Sequence, residues 1–389
     1  MQNKSIVFLS SQLLSNRNLE RFGFNYLLKN GWSIYYFECS YIFRKNYYES
    51  VKNEENLNTN FFYRIKTYKE LLSRLEKIKP DFVVNILGDT TKEKSLLIKQ
   101  AKKSKLINLN LGPYPEFNHS FLTKIIKTYN ETNIILVTKR IYAFFVSKYF
   151  RKIKYDFQII SGLRCINSNN ESSIVKAHSF DYDHYLKNKN KIKIINKNKN
   201  KKNILFLDSG SAFKKGDDPV FRGADLNLNY ENYFKFTNVI LKYYQENYSS
   251  EIIICTHPKS DLKRLKSKFN FEVVQNKTME MVYCSDFVIS YSSTAIQYAI
   301  IFKKPIMFYN YFGNLSKAHK KFYFLETQAF ANSLNSKHCV LDFDYKKPPK
   351  LNFNINEKLY DEYFRNYIKC YNSPDQELWK IIENALIKS

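Results

Sequence analysis

The chain has 389 residues and a hydrophobic content of 44%, which is enough for two domains with their own cores. Its formal net charge of +26 favours anionic ligands such as nucleotides, acidic sugars, nucleic acid or an anionic membrane face. No run of about 18 apolar residues occurs, which excludes a membrane-spanning helix. The six cysteines are too far apart for CxxC-type zinc or redox motifs. We expect Cys39, Cys255 and Cys284 to be reduced core thiols.

The first half of the chain alternates short apolar strands with helices. Ser5–Ser10 is a predicted strand, residues 18–29 are a helix, and Ser33–Glu38 is the next strand. This succession is typical of the first unit of a doubly wound α/β domain. Further helices are predicted over residues 63–79 and 92–103, and further strands over residues 80–88, 106–111, 133–138 and 174–179. Because the strands are apolar throughout, they predict a parallel sheet that is covered by helices on both faces.

Two arginines flank the loop after the first strand. That loop has no GxGxxG pattern, so a dinucleotide fingerprint is absent from it. Arg17 and Arg21 either contact an acceptor or a phosphate, or belong to the solvated start of a helix. The sequence leaves both interpretations open.

Two basic segments stand out in the middle of the chain. Residues 141–155 mix aromatic side chains with cations, which is typical of a helix on an anionic membrane or of a packed helix with a solvated basic face. Residues 185–203 are rich in Lys and Asn. This composition predicts a linker between domains, with a nucleic-acid-binding arm as the alternative.

The patterns divide the chain into four regions. We expect a Rossmann-like domain over residues 1–184, a linker over residues 185–203, a second Rossmann-like domain over residues 204–375 and a C-terminal helix over residues 376–389. Trp379 lies on this amphipathic helix, which we expect to pack across both domains.

The second domain repeats the alternation of strands and helices. Its predicted strands cover residues 204–207, 251–256, 271–274, 286–290 and 306–309, and its predicted helices cover residues 230–244, 262–268, 278–283 and 295–302. The first of these strands is followed by an irregular loop over residues 209–229. A loop of about 20 residues inside a compact domain is typically functional.

Polar side chains follow three of these strands directly. They are Asp208, His257 and the hydroxyl cluster of Ser292, Ser293 and Thr294. Because the carboxyl ends of parallel strands meet at one edge of a sheet, where open α/β sheets bind ligands, we expect these groups to form one site.

The residue types suggest a role for each group. The hydroxyl cluster would bind a phosphate at the N-terminus of the following helix, or would only cap that helix. His257 can donate to a phosphate oxygen or protonate it as it leaves. Asp208 can deprotonate an acceptor hydroxyl, and Asp217 or Asp218 is the alternative base.

Supplementary contacts are predicted nearby. Pro258 holds the backbone after the histidine, and Lys259 and Arg222 are candidate cations for a phosphate. The histidines of the chain lack the spacing of metal ligands, apart from the loose pair His178 and His184, so no metal site is predicted.

The two-domain pattern and these motifs resemble glycosyltransferases of the GT-B fold. The pair His257-Pro258, followed by the hydroxyl cluster, is similar to the HP and SS/ST motifs of bacterial sialyltransferases and related enzymes that use CMP-activated acidic sugars. In that group the histidine assists departure of the CMP phosphate, which the hydroxyls bind. The acidic motif that supplies the base in that group is matched best by Asp208-Ser209-Gly210, where Ser209 replaces a second acid.

The resemblance implies a metal-independent transferase without a cofactor. Its donor would be a nucleotide-activated sugar, such as a CMP-activated sialic-acid-like or Kdo-like sugar. Its acceptor would be a glycan or glycolipid of a capsule, a lipooligosaccharide or an O-antigen. We accordingly expect a cytoplasmic protein that contacts the inner face of the cytoplasmic membrane peripherally and binds no nucleic acid.

Two other functions stay open from the sequence. The second domain also resembles UDP-N-acetylglucosamine 2-epimerases of the same fold, which would convert the donor without an acceptor. A basic, non-enzymatic protein would instead bind a polyanion with salt-sensitive affinity and would not need His257.

Overall fold

The computed structural model describes residues 4–52, 57, 59–87, 91–100, 102–115, 153–165, 173–192, 201–208, 229–315 and 317–388. Strands and helices are numbered in chain order along these residues. Two parallel sheets define two domains, and the last strand of the first sheet ends at Lys176, before the second sheet begins at Lys202.

The first domain is built on a sheet of seven strands. These are β1 Ser5–Ser10, β2 Ser33–Glu38, β3 Phe62–Arg64, β4 Phe82–Ile86, β5 Lys105–Asn110, β6 Phe157–Ile160 and β7 Ser173–Lys176. Its helices are α1 Asn16–Arg21, α2 Phe24–Lys29, α3 Ser40–Phe43, α4 Lys45–Val51, α5 Tyr68–Ile78 and α6 Thr91–Gln100. Helix α7 Phe180–Asn188 follows β7 and packs on the core of the second domain. The strand order is β3-β2-β1-β4-β5-β6-β7, and the neighbouring strands run parallel.

The second domain is built on a sheet of six strands. These are β8 Lys202–Leu207, β9 Ser250–Thr256, β10 Glu272–Gln275, β11 Phe287–Ser290, β12 Ile306–Asn310 and β13 His338–Val340. The helices that follow β8 are α8 Tyr230–Asn247, α9 Leu262–Lys266, α10 Thr278–Cys284, α11 Gln297–Ile301, α12 Lys317–Ser333, α13 Leu341–Asp344, α14 Glu357–Tyr363 and α15 Leu378–Ile387. The strand order is β10-β9-β8-β11-β12-β13, again parallel.

In both sheets the first strand lies in the interior, and the strand order reverses beside it. β1 lies between β2 and β4, and β8 lies between β9 and β11. This is the order of a doubly wound fold, which opens a crevice for ligands at the carboxyl ends of the strands where the order reverses. The prediction of two Rossmann-like domains, the GT-B arrangement, is confirmed by this topology.

Strand β1 shows how the sheet is covered on both faces. Ile6 and Phe8 pack into a core that contains helix α15. Val7 and Leu9 point to the other face, where they pack against helix α5. All four side chains are fully buried, and each buried side chain of this size is worth about 1.5–3 kcal/mol relative to exposure.

The C-terminal segment packs across both domains, as the sequence predicts. Helix α14 and the π-turn Phe364–Ile368 belong to the core of the second domain through side chains such as Tyr360. Helix α15 then returns to the first domain. There the Trp379 ring lies 5.5 Å from the Phe8 ring, and its indole N–H donates to the carbonyl oxygen of Arg21 at 2.8 Å.

Gly23 makes room for this returning helix. The backbone at Gly23 is left-handed, with φ 59°, and a Cβ atom there would lie 2.2 Å from Trp379 Cδ1. The single helix predicted over residues 18–29 is therefore wrong, because the chain breaks at Gly23 between α1 and α2. The apolar spacing continues through the break, so the spacing by itself does not reveal it.

Glu383 anchors α15 by three hydrogen bonds. Its carboxylate accepts from Tyr26 Oη at 2.6 Å, from Asn30 Nδ2 at 2.9 Å and from Trp32 Nε1 at 2.7 Å. Burial and the hydrogen bond to Glu383 raise the pKa of Tyr26 to about 12. The phenol therefore stays protonated and donates at neutral pH.

Two further predicted segments contain elements that the patterns do not show. Residues 63–79, predicted as one helix, form strand β3 and then α5, since Thr67 caps the helix at the Glu70 N–H and the preceding residues pair with β2. The segment predicted as a linker over residues 185–203 begins inside α7, which continues to Asn188.

Several sequence predictions fall outside the described residues. They concern the strand over residues 133–138, most of the basic segment over residues 141–155, and the loop over residues 209–228. The structure also adds β6 and β13, whose four and three residues are too short for a recognisable pattern. Within the described ranges, every helix is too short or too polar to cross a membrane.

We expect Glu383→Ala to lower the free energy of unfolding by about 2–4 kcal/mol, because three donors lose their shared acceptor in a buried position. Urea unfolding followed by circular dichroism measures this change. Glu246→Ala, at an exposed position of α8, is the matched control and should change stability by less than about 0.5 kcal/mol. Equal effects of the two substitutions would contradict the anchoring role.

Candidate functional site

A cleft of about 1420 Å³ lies between the two domains. Residues at the carboxyl ends of β8, β9, β11 and β12 form one wall, and α1 and α7 contribute to the other. Pockets for small molecules typically have roughly 300–1,000 Å³, so this cleft has space for a large ligand or for two ligands side by side. The structure brings Asp208, His257 and the hydroxyl cluster of residues 292–294 together along the cleft.

Asp208 is buried directly after β8. The Tyr233 hydroxyl of α8 donates to Asp208 Oδ1 at 2.6 Å. Burial, assisted by this carboxylate, raises the pKa of Tyr233 well above its ordinary value. Tyr233 therefore stays protonated, and its hydrogen bond orients the Asp208 carboxyl group at the edge of the cleft.

His257 follows β9 and is half-buried. The backbone N–H of Lys259 donates to His257 Nδ1 at 3.1 Å, so the neutral ring carries its proton on Nε2. The His257 carbonyl oxygen accepts from Gln275 Nε2 at 2.9 Å, which ties the loop to β10. These contacts hold the loop and place the proton of the neutral ring on Nε2.

The hydroxyl cluster of residues 292–294 connects β11 to a 3-10 turn, Thr294–Ile296, and then to α11. The Ser293 hydroxyl caps the turn and accepts from the Ala295 N–H at 3.3 Å. The helix predicted over residues 295–302 is thus a three-residue turn followed by a five-residue helix. So short a helix has a weak dipole, and the side-chain hydroxyls are better donors for an anion than its N-terminus.

A row of polar side chains lies behind Ser292. Thr327 of α12 donates from Oγ1 to Ser292 Oγ at 3.4 Å, and Asn310 donates from Nδ2 to Thr327 Oγ1 at 2.9 Å. His338 Nε2 lies 2.6 Å from Asn310 Oδ1. Burial lowers the pKa of His338 to about 4, an effect that the Asp344 carboxylate partly opposes.

The opposite wall of the cleft contains Arg17 and Arg21 of α1. Arg21 Nη2 lies 3.2 Å from Asp181 Oδ1 of α7, and its guanidinium lies over the Phe180 ring, 5.3 Å from the centroid. The same Asp181 oxygen lies 3.5 Å from Tyr298 Oη of α11. Arg21 therefore joins the two domains and is not simply the solvated start of a helix, whereas Arg17 is exposed at the margin of the cleft.

Some of the predicted site residues are not placed in this cleft. Pro258 lines it, but the Lys259 side chain is exposed and does not. The predicted contacts Gly210, Asp217, Asp218 and Arg222 lie outside the described residues. The choice of Asp208 over Asp217 or Asp218 as the base stays a prediction.

The sequence patterns do not mark several residues that line the cleft. Asn276 directly follows β10, so the same strand-end rule that finds His257 would have found it. The remaining examples come from helices, where no local pattern distinguishes them from core or surface residues; they are Glu280, Tyr298 and Tyr323.

The sequence predicts no zinc, redox or metal site from its cysteines and histidines. All six cysteines are buried free thiols, as predicted for Cys39, Cys255 and Cys284. His178 is buried, and its Nε2 lies 2.9 Å from the Gln376 carbonyl oxygen. In the part of the chain that the structure describes, no three His, Cys, Asp or Glu side chains are grouped as metal ligands would be.

Solved structures of three other proteins are similar to this chain over nearly its whole length. The UDP-GlcNAc 2-epimerase of Methanocaldococcus jannaschii, in complex with UDP-GlcNAc and UDP, is 15% identical over 94% of this chain and 99% of its own, with a TM-score of 0.45. The UDP-GlcNAc 2-epimerase of Neisseria meningitidis, bound to UDP-GlcNAc, is 14% identical over 99% of this chain and 100% of its own, with a TM-score of 0.48. MurG of Acinetobacter baumannii is 8% identical over 99% of this chain and 100% of its own, with a TM-score of 0.48.

No protein-family model matches the sequence, and no curated protein matches it either. At the identities of the three solved structures, the likeness concerns the overall fold alone. Function is therefore inferred from the residues of the cleft.

We expect His338 to make the stability of the protein depend on pH. Its folded pKa of about 4 lies below the ordinary value of 6.5, so its contribution to stability is fully present above pH 6.5 and is lost as the pH falls towards 4. Between pH 7 and pH 4, the free energy of unfolding of the His338→Gln variant should therefore fall by about 1–2 kcal/mol less than that of the unchanged protein. Urea unfolding of both proteins at several pH values gives this difference, and parallel pH profiles would contradict it.

Proposed function

We propose that the protein is a glycosyltransferase that uses a nucleotide-activated sugar. The observation that carries this proposal is the position of Asp208, His257 and the hydroxyl cluster along one wall of the interdomain cleft. A carboxylate, an imidazole N–H and a row of hydroxyls meet the three needs of sugar transfer. They supply a base for the acceptor, a donor for the leaving phosphate, and hydrogen bonds to the remaining phosphate oxygens.

In the proposed reaction, a hydroxyl of the acceptor attacks the anomeric carbon while the bond from that carbon to the phosphate oxygen breaks. Asp208 takes the proton of the attacking hydroxyl. His257 donates from Nε2–H to the departing phosphate oxygen, whose negative charge grows as the bond breaks. Because the acceptor attacks from the side opposite the phosphate, the anomeric centre is inverted.

The donor that we propose is a CMP-activated acidic sugar of the sialic-acid or Kdo type. The His257-Pro258 pair and the hydroxyl cluster support it, and a net charge of +26 favours an acidic substrate. The acceptor would be a surface glycan or glycolipid that the protein meets at the cytoplasmic face of the membrane. No metal takes part in this scheme, because protein hydrogen bonds stabilise the leaving phosphate.

We expect His257→Ala and Asp208→Asn each to lower kcat/KM for sugar transfer by about 100-fold or more, because each removes one partner of a proton transfer. The assay measures nucleotide release with and without a panel of acceptor glycans. It follows CMP from CMP-sialic acid or CMP-Kdo, and UDP from UDP-GlcNAc. Lys263→Ala, at an exposed position of the nearby α9, is the matched control and should keep its activity, as should the unchanged protein in EDTA.

An NMR time course of the donor separates the alternatives. Conversion of a UDP-sugar to its 2-epimer without any acceptor would identify an epimerase and contradict transfer. Full activity of both variants would contradict the assignment of the site. Binding of polyanions that falls steeply with salt, without turnover and without need of His257, would identify a binding protein.

A further inference from the structure

Behind Ser292, polar side chains continue into the interior of the second domain. Thr327 and Asn310 are fully buried, and His338 lies beyond them at the start of β13. Burying polar groups costs free energy unless each group is hydrogen-bonded. Two hydrophobic side chains in place of Thr327 and Asn310 would fill the same space and would need no hydrogen bonds. The connection of this row to a hydroxyl of the cleft therefore suggests a role beyond packing.

The hydrogen bonds of the row have a direction. The neutral His338 ring donates from Nε2 to Asn310 Oδ1, because 2.6 Å is the shorter of the two contacts that its ring nitrogens make. This bond orients the Asn310 amide so that Nδ2 donates to Thr327 Oγ1 at 2.9 Å. Thr327 then donates its own O–H to Ser292 Oγ at 3.4 Å.

This direction determines what Ser292 offers to a ligand. Because its oxygen already accepts from Thr327, its O–H is the group that is left to donate. Without a ligand, this O–H is hydrogen-bonded to the neighbouring Tyr291 hydroxyl. A phosphate oxygen would replace the phenol as its partner, because the phosphate carries charge and is the stronger acceptor. A ligand group that accepts hydrogen bonds and cannot donate them is therefore preferred at this position.

We propose that Thr327 and Asn310 are positioning residues, which hold Ser292 as a hydrogen-bond donor to the phosphate of the ligand. Neither residue lines the cleft, so both act through Ser292. This inference rests on the proposed function, because it requires a ligand that carries phosphate.

Calorimetric titration of the full chain with UDP and with CMP tests the proposal. We expect Ser292→Ala and Thr327→Val each to weaken binding of the preferred nucleotide by about 5–10-fold, as for the loss of one hydrogen bond to a charged acceptor. Thr327→Ser, which restores the hydroxyl, should bind within about twofold of the unchanged protein. In the Ser292→Ala background, Thr327→Val should cause no further loss, since the two residues act through one contact.

Two further variants separate positioning from folding. Thr237→Val removes a buried threonine hydroxyl that has no hydrogen-bond partner among the described residues and does not line the cleft, so it should leave the affinity unchanged. Thr327→Cys keeps most of the buried volume and replaces the hydroxyl with a weaker donor, so it should give an intermediate loss of affinity. It also tests the proposal if Thr327→Val does not fold. Thermal unfolding of each variant shows that it is folded at the temperature of the titration.

Two results would overturn the inference. One is that Thr327→Val weakens nucleotide binding equally in the unchanged protein and in the Ser292→Ala background, since the effect would then be structural. The other is an unchanged affinity of Thr327→Val when Ser292→Ala binds more weakly. If the unchanged protein binds neither UDP nor CMP, the proposed function fails, and the inference fails with it.

Discussion

The contact on which the structure depends is the return of helix α15 to the first domain. A buried carboxylate, Glu383, accepts three hydrogen bonds from residues near the start of the chain, and Trp379 fills the space that Gly23 leaves open. The chain first crosses to the second domain at the start of α7. Because α14 packs on the second domain, the return of α15 is a second crossing between the domains. The carboxyl edge of the second sheet and helix α1 of the first domain are thereby held on opposite sides of one cleft.

Helix α7 links this arrangement to the chemistry of the cleft. Its Asp181 contacts Arg21 of the first domain and Tyr298 of α11, and the preceding Ser179 hydroxyl donates to Gln297 Oε1 at 2.5 Å. Helix α11 directly follows the 3-10 turn of the hydroxyl cluster. A change in the angle between the domains would therefore act directly on the residues that we propose bind phosphate.

The candidate site shows which part of the chemistry was predictable. Asp208 and His257 were found because each directly follows a strand, and parallel strands bring their carboxyl ends to one edge. The hydroxyl cluster was found by the same rule, but the helix behind it is shorter than its apolar spacing suggests. For this reason the hydroxyls, and not a helix dipole, carry the proposal. Thr327 stands mid-helix, where no local pattern marks it.

The sequence by itself determined the fold class and the strand-end residues of the cleft, because both follow from local features: runs of apolar residues and the polar residue after each run. The tertiary structure decided the break at Gly23, the docking of α15 and the hydrogen-bond row behind Ser292. These depend on pairs far apart in the chain, such as Tyr26 and Glu383, which are separated by 357 residues. Periodicity describes one segment at a time, whereas such contacts exist only once both segments are folded.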